Sequence, residues 1–464
     1  MKKEKEIRII SPIAILGYGI NEDSLRRGMA MNPTMMGVDS GSTDCGPYYL
    51  GSGAMYQSRK SMKRDLGLCL EAARAAKIPL LIGSAGLAGS RPHVAWVLDI
   101  LNEIAREKDL HFKLAIIHAD QEKSYLRRAM EDGRVKPFTG VAPLTKETID
   151  KVGPLVAQMG TSPYVAALEA GADVIIAGRS CDSAIFGSYA IWKGFDRGVA
   201  LHMGKILECA GMSATPPTGR DPVVATLRGN EILLESPNPA RSITPRSVSS
   251  HMVYEVEHPF LQEEPEGRLD FSEVEFESVK GGRATVIRGT KFHRRDKPTH
   301  RFEGAELRGY ISFMVGATRD PDLIAQIDTF VEGTERQTRE LEGNDQDFQI
   351  DWKLYGRDAV LGASEPMRER KDLHELGIMV QVLAPTQERA HDVAALLEAR
   401  MIGFAYPGAK TRTAHIAFPF SPLVTDGGPC YRFSVMHVVE AESPRDLLDL
   451  FPIEYRTVRG ANGG

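Results

Sequence analysis

Four times between residues 35 and 183 a short apolar run breaks into a polar loop and then into a helical pattern, and this alternation constrains the fold more than any other feature. Apolar runs too short to be helices, each followed by a helical period, read as strands of a parallel sheet covered by helices. The runs end at Val38, Ile82, Ile117 and Ala177, and the loops after them are 39–46, 83–90, 118–120 and 178–183. Parallel strands present their carboxyl ends along one edge, where the following helices also point their positive N-termini, so the four loops predict one shared site. Met62, Leu66, Cys69, Leu70 and Ala73, then Val94, Val97, Leu98, Leu101 and Ile104, recur at helical spacing and supply two covering helices.

With 464 residues the chain exceeds one ordinary core. Near residue 213 the texture changes to Pro-rich connections and shorter β-like runs, with 215–218 and 236–239 as linker elements. The expected fold class is α/β: an N-terminal domain over 1–212, a mostly parallel sheet flanked by helices that carries the active-site loops, and an α+β domain over 213–464 that closes the cleft. A formal net charge of −5 offers no basic surface of the kind nucleic acid requires. No stretch reaches the roughly 18 apolar residues of a membrane span, and the charged start leads into Ile7 without an apolar signal core, so a cytoplasmic protein is expected. Cysteines 45, 69, 181, 209 and 430 are scattered and form no Cys-x-x-Cys pair, which reads as reduced thiols rather than a disulfide framework or a structural zinc site.

Each loop carries groups that need a partner once buried. In 39–46, Asp39, Ser40, Gly41, Ser42, Thr43 and Asp44 combine carboxylates, hydroxyls and a permissive glycine. Asp39 and Asp44 are candidates for placing water or a cation, and Ser40 through Thr43 for contacting substrate, although turn chemistry favours the same residues. In 83–90, the amides of Ser84, Ala85 and Gly86 precede a helix and suit a phosphate or carboxylate. The spacing is not Gly-x-Gly-x-x-Gly, so no nicotinamide fingerprint is present. His118 and Asp120 are candidates for proton transfer, with helix capping by Asp120 as the bland alternative. Arg179 is a candidate clamp for a carboxylate, and Asp182 a candidate base or helix cap. Asp39, Asp44, Asp120 and Asp182 together offer oxygen ligands for Mg²⁺ or Ca²⁺. His202, Lys205 and Glu208 share one helical face that is expected to be solvent-exposed, with Lys205 a further contact for an anionic substrate. Lys410 and Arg412 add two cations to a turn-like segment beginning at Tyr406.

The residues 37–44 with 46–51, Gly83-Ser84-Ala85-Gly86, 178–182, 202–209, Tyr406-Pro407-Gly408 and 417–422 resemble the acyclic terpene utilisation (AtuA-like) family over nearly the whole chain. The resemblance implies a catabolic setting in bacteria or archaea, with a small companion protein encoded nearby, and assigns no catalytic residue. The expected function is a catabolic enzyme, or its large subunit, acting on a small carboxylate or acyl-CoA thioester as a hydro-lyase. The alternatives are a non-catalytic ligand-binding subunit of a heteromeric enzyme and, behind it, an oxidoreductase. A homo- or hetero-oligomer is expected.

Overall fold

The computed structural model describes residues 6–253, 257–370, 372–413 and 415–461; the charged start at 1–5 lies outside them. Five apolar runs form neighbouring parallel strands: β1 (Glu6–Ser11), β2 (Met35–Asp39), β3 (Leu80–Gly83), β4 (Phe112–Ile117) and β5 (Val174–Ala177). Their spatial order is β1-β2-β3-β5-β4. Every residue of β2, β3 and β5 is buried, which is why these strands read as unbroken apolar runs instead of alternating ones. Helices α1 (Arg59–Ala76) and α2 (Arg91–Glu107) press Leu66, Leu70, Val97 and Leu101 onto Val38, Ile82 and Ile176.

Antiparallel strands extend this sheet on both sides to ten. Val223–Arg228 pairs with β1 and turns through Gly229, at φ +56°, into Glu231–Glu235; Ala284–Arg288 and Glu275–Val279 follow outward, and Ile453–Val458 closes the far edge against β4. Residues after 213 thus add strands to the first sheet. The chain forms two compact units, Met1–Glu306 with Phe433–Gly464, and Leu307–Arg432. Their boundaries fall inside the strands Thr299–Thr318 and Thr425–Glu440, not at the Pro-rich stretch near 213. Within the second unit, Leu376–Ala384 lies between Gln349–Tyr355 and the later part of Thr299–Thr318, and helices Ile327–Glu342 and Gln387–Gly403 bury Phe330 and Leu397 with Val380.

Two smaller pieces of the first unit matter for the site. Leu155–Ala157 pairs antiparallel with Phe302–Gly304, placing Glu303 opposite Val156. A three-stranded sheet of Leu261–Glu264, Gly267–Asp270 and Lys291–Arg294 carries Glu264 at the end of its first strand.

The 83–90 loop owes its glycines to close packing. Gly89 has φ +64°, and a Cβ there would lie 2.2 Å from the backbone nitrogen of Arg179. Gly89→Ala is therefore expected to cost at least about 1–3 kcal/mol, read as a lowered urea midpoint.

Candidate functional site

Past the strand ends the backbone ladder continues for one more step. Ser40 N donates to Gly83 O at 3.0 Å, Ser84 N to Gly178 O at 3.0 Å, and Gly178 N to Ile117 O at 2.8 Å. The first residues of three loops are consequently held side by side, with Asp39, Ser40, Ser84 and Arg179 all buried. The shared edge is as the alternation predicts, but its side chains divide into a buried charge network and a separate set facing other partners.

Arg179 anchors the network. Its Nε donates to Glu303 at 2.9 Å and Nη2 to the other Glu303 oxygen at 3.3 Å, while Nη1 donates to Ser84 Oγ at 3.2 Å and the Ser180 carbonyl at 3.0 Å. Gln158 Nε2 also donates to Glu303 Oε1, at 2.6 Å. A guanidinium so fully engaged holds the loops together and has little left to clamp a substrate, which corrects the role expected for it. Asp182 is not a cap: Cys181 occupies the N-cap position of α3 (Asp182–Trp192) without a side-chain bond, and Asp182 lies 3.8 Å from Arg179 Nη1 and 3.6 Å from Lys205 Nζ. Lys205 in turn donates to Glu208 at 2.8 Å.

The face of α4 (Arg197–Leu207) that bears His202 and Lys205, continued by Glu208 at the helix end, is buried, against the expectation of a solvated face. Helix α4 packs so closely on α3 that a Cβ at Gly204 would lie 2.2 Å from the Ser183 carbonyl, and this contact draws the polar residues inward. His202 is consequently uncharged, its pKa pushed down by burial to about 3, and its Nδ1 meets Thr290 Oγ1 at 2.6 Å. Burial disfavours the Lys205 charge, but Glu208 and then Asp182 more than offset this and keep it an ammonium. Among the described residues, Asp39, Asp182, Glu208 and Glu303 thus lie around two cations, Arg179 and Lys205. Burial raises Asp39 well above the ordinary carboxyl range, and the charges of Asp182 and Glu208 push in the same direction. Beside it, Ser40 Oγ is buried without a hydrogen-bond partner among the described residues. A buried hydroxyl of that kind calls for a bound group or water.

The other sequence candidates lie apart. Asp44 is exposed and accepts from the Ser42 hydroxyl within its own turn; Gly41 packs against Leu87, and Thr43 is buried. His118 Nε2 faces Glu454 at 2.8 Å on the terminal edge strand. Asp120 accepts from the Arg91 amide at 3.1 Å, capping α2 from a neighbouring loop instead of the helix that follows it. The amides of Ser84 and Ala85 donate to backbone carbonyls, so packing occupies them, and Gly86 sits at φ +71° against His93. Asp39, Asp44, Asp120 and Asp182 do not bring their oxygens together among the described residues. Asp44→Asn is expected to change stability by less than about 0.5 kcal/mol, measured by urea denaturation, because its bonds stay within an exposed turn.

An open cavity of about 440 Å³ lies against this network, within the size range of small-molecule sites. Gln158 and Cys181 join the two, since each lines the cavity while Gln158 binds Glu303 and Cys181 precedes Asp182. The cavity also carries Glu264 and a rim of mixed charge, in which Lys136, Arg295, Lys297 and Arg301 stand among Glu257, Glu263 and Glu440. Arg301 stacks over Phe138 at 5.0 Å, and Lys297 meets Glu440 at 2.8 Å. Glu264 accepts from Ser183 Oγ at 2.7 Å, Gln262 Nε2 at 2.8 Å and the Cys181 thiol at 3.2 Å. Burial pushes its pKa up to about 7, with the donated hydrogen bonds working the other way. The same burial, followed by the charges of Glu264 and Asp182, pushes Cys181 well above the ordinary thiol range, so it is no thiolate nucleophile.

Sequence reasoning passed over Glu264, Glu303 and Gln158. Glu303 had a readable signal, since its neighbours 302, 304 and 305 are Phe, Gly and Ala within one strand. Glu264, within Leu-Gln-Glu-Glu-Pro, had none.

The chain belongs to the acyclic terpene utilisation family, whose model, described as acyclic terpene utilisation family protein AtuA, matches residues 52–422. The match spans β3, β4, β5, Glu264 and Glu303 and begins after the 39–46 loop. Neither the curated proteins nor the solved structures compared with the chain give a match. No helix among the described residues is long and apolar enough to cross a membrane.

Proposed function

We propose that the chain is a catabolic hydro-lyase acting on a short substrate whose carboxylate or thioester carbonyl acidifies the neighbouring carbon. The observation that carries this reading is Glu264: a buried carboxyl poised near neutrality on the wall of a cavity that also presents Arg301 and Lys136. A general base works best when its pKa lies near the operating pH. Arg301 and Lys136 suit the substrate's anionic group, since Arg295 and Lys297 are paired with Glu263 and Glu440. The Glu264 carboxylate takes the proton from the acidified carbon, the carbon–carbon double bond forms as the hydroxyl leaves the next carbon, and the same carboxyl returns its proton to that hydroxyl as water. In the reverse direction the same steps hydrate the double bond. The charged lining fits a short polar acid better than a branched hydrocarbon chain, so family membership alone does not make a terpenoid the substrate.

The test is direct. The purified chain, alone and with its companion protein, is incubated with unsaturated and hydroxylated di- and tricarboxylates and with acyl-CoA thioesters, and each mixture is examined for a mass change of one water. Turnover by the isolated chain supports the proposal; turnover only with the companion present assigns the chain a binding role instead.

A further inference from the structure

At the end of α4 the chain passes through Glu208 and Cys209, and α5 (Pro245–Met252) brings His251 in its last turn to the same place. One carboxylate oxygen of Glu208, the Cys209 sulfur and a ring nitrogen of His251 lie within 4.8 Å of one another. We propose that Glu208, Cys209 and His251 form a binding site for a divalent cation of the zinc class. This donor set is softer than the four aspartates expected from sequence, and one oxygen, one sulfur and one nitrogen are what zinc takes, at about 2.0–2.3 Å each, with a fourth position left for water.

Three features of the surroundings favour it. The Glu208 carboxylate is divided, with Oε1 held by Lys205 at 2.8 Å and Oε2 accepting from the Cys209 thiol at 3.0 Å, so oxygen and sulfur already face each other across the proton a cation would replace. The carbonyl end of α4 adds partial negative charge at the same point. The adjoining network carries more carboxyl groups than cations, and Glu208 belongs to it. Lys205 works against a cation here, but its charge is shared with Asp182 at 3.6 Å. Binding forms the sulfur–metal bond and releases the thiol proton to water; no electron is transferred. The arrangement was invisible in sequence because 208–209 and 251 are joined only by the packing of α5 on α4.

The test is independent of Glu264 and of any turnover. Chelator-treated full-length protein is titrated with Co²⁺ and with Zn²⁺. Stoichiometric Co²⁺ binding with a thiolate-to-metal charge-transfer band is expected, the band disappearing in Cys209→Ser, and His251→Gln should weaken Zn²⁺ binding by at least about tenfold. Absence of the band in the wild-type protein, or unchanged Zn²⁺ affinity in both variants, overturns the proposal. Should a variant fail to fold, the unaltered protein still decides. Zn²⁺ should protect Cys209 from alkylation while leaving exposed Cys45 reactive, and equal alkylation of Cys209 with and without Zn²⁺ refutes the site.

Discussion

Replacing Glu264 by Gln is expected to lower turnover by about 10²–10⁴-fold, the usual contribution of a positioned proton-transfer group, without unfolding the protein. Gln keeps the shape, and its carbonyl can still accept from Ser183 and Gln262, so a loss of that size reports the missing proton chemistry. The pH profile carries the same information. For a base poised at about 7, dehydration should rise with pH up to that point and then level off, and the variant's residual rate should lack the limb. Stability should move the opposite way. The folded pKa lies above the ordinary 4.5, so the stability Glu264 contributes is fully present below 4.5 and is lost as pH rises towards about 7. Glu264→Gln removes that loss, and its urea midpoint above pH 7 should exceed that of the parent. A merely structural Glu264 would predict lower stability and no change in the shape of the profile.

Arg179→Ala should be the most damaging single change to the fold. It removes the ion-pair partner of Glu303, a carboxylate that is itself buried, and leaves it, among the described residues, with the hydrogen bond from Gln158. Breaking a buried pair from one side costs on the order of 3–5 kcal/mol, whereas replacing both members by apolar groups is often close to neutral. The urea midpoint of Arg179→Ala should fall accordingly, and the double change Arg179→Met with Glu303→Leu should recover most of the loss. If Arg179 instead acted as a free clamp, the variant would remain near wild-type stability and the substrate KM alone would rise.

Much of the sheet was legible because burial on both faces leaves a plain trace: β2, β3, β4 and β5 are short apolar runs, and each breaks where its loop begins. The strands at 223–235 were harder to place because nothing local distinguishes a strand that extends the first sheet from one that begins another, and Pro216 and Pro217 read as a linker. The candidate site was partly legible. Asp39, Ser40, Ser84, Arg179 and Asp182 follow directly from their positions at strand ends, whereas His118 and Asp120 lie at the same edge and turn towards Glu454 and α2. Lys205 and Glu208 were misread because three-residue spacing describes a helical face without saying what covers it; packing at Gly204 decides that. Glu264 comes from a small separate sheet, and only tertiary pairing brings it to Cys181 and Ser183.

The most direct measurement is proton exchange in D₂O. Carboxylates and acyl-CoA thioesters from the same panel, incubated with the purified chain, are followed by mass spectrometry for deuterium entering at the carbon beside the carbonyl, in wild-type protein and in Glu264→Gln. Incorporation into at least one compound by the wild type, and little or none by the variant, is expected. Equal incorporation by both proteins, or none by the wild type across a panel in which no compound gains or loses water, would contradict proton transfer by Glu264.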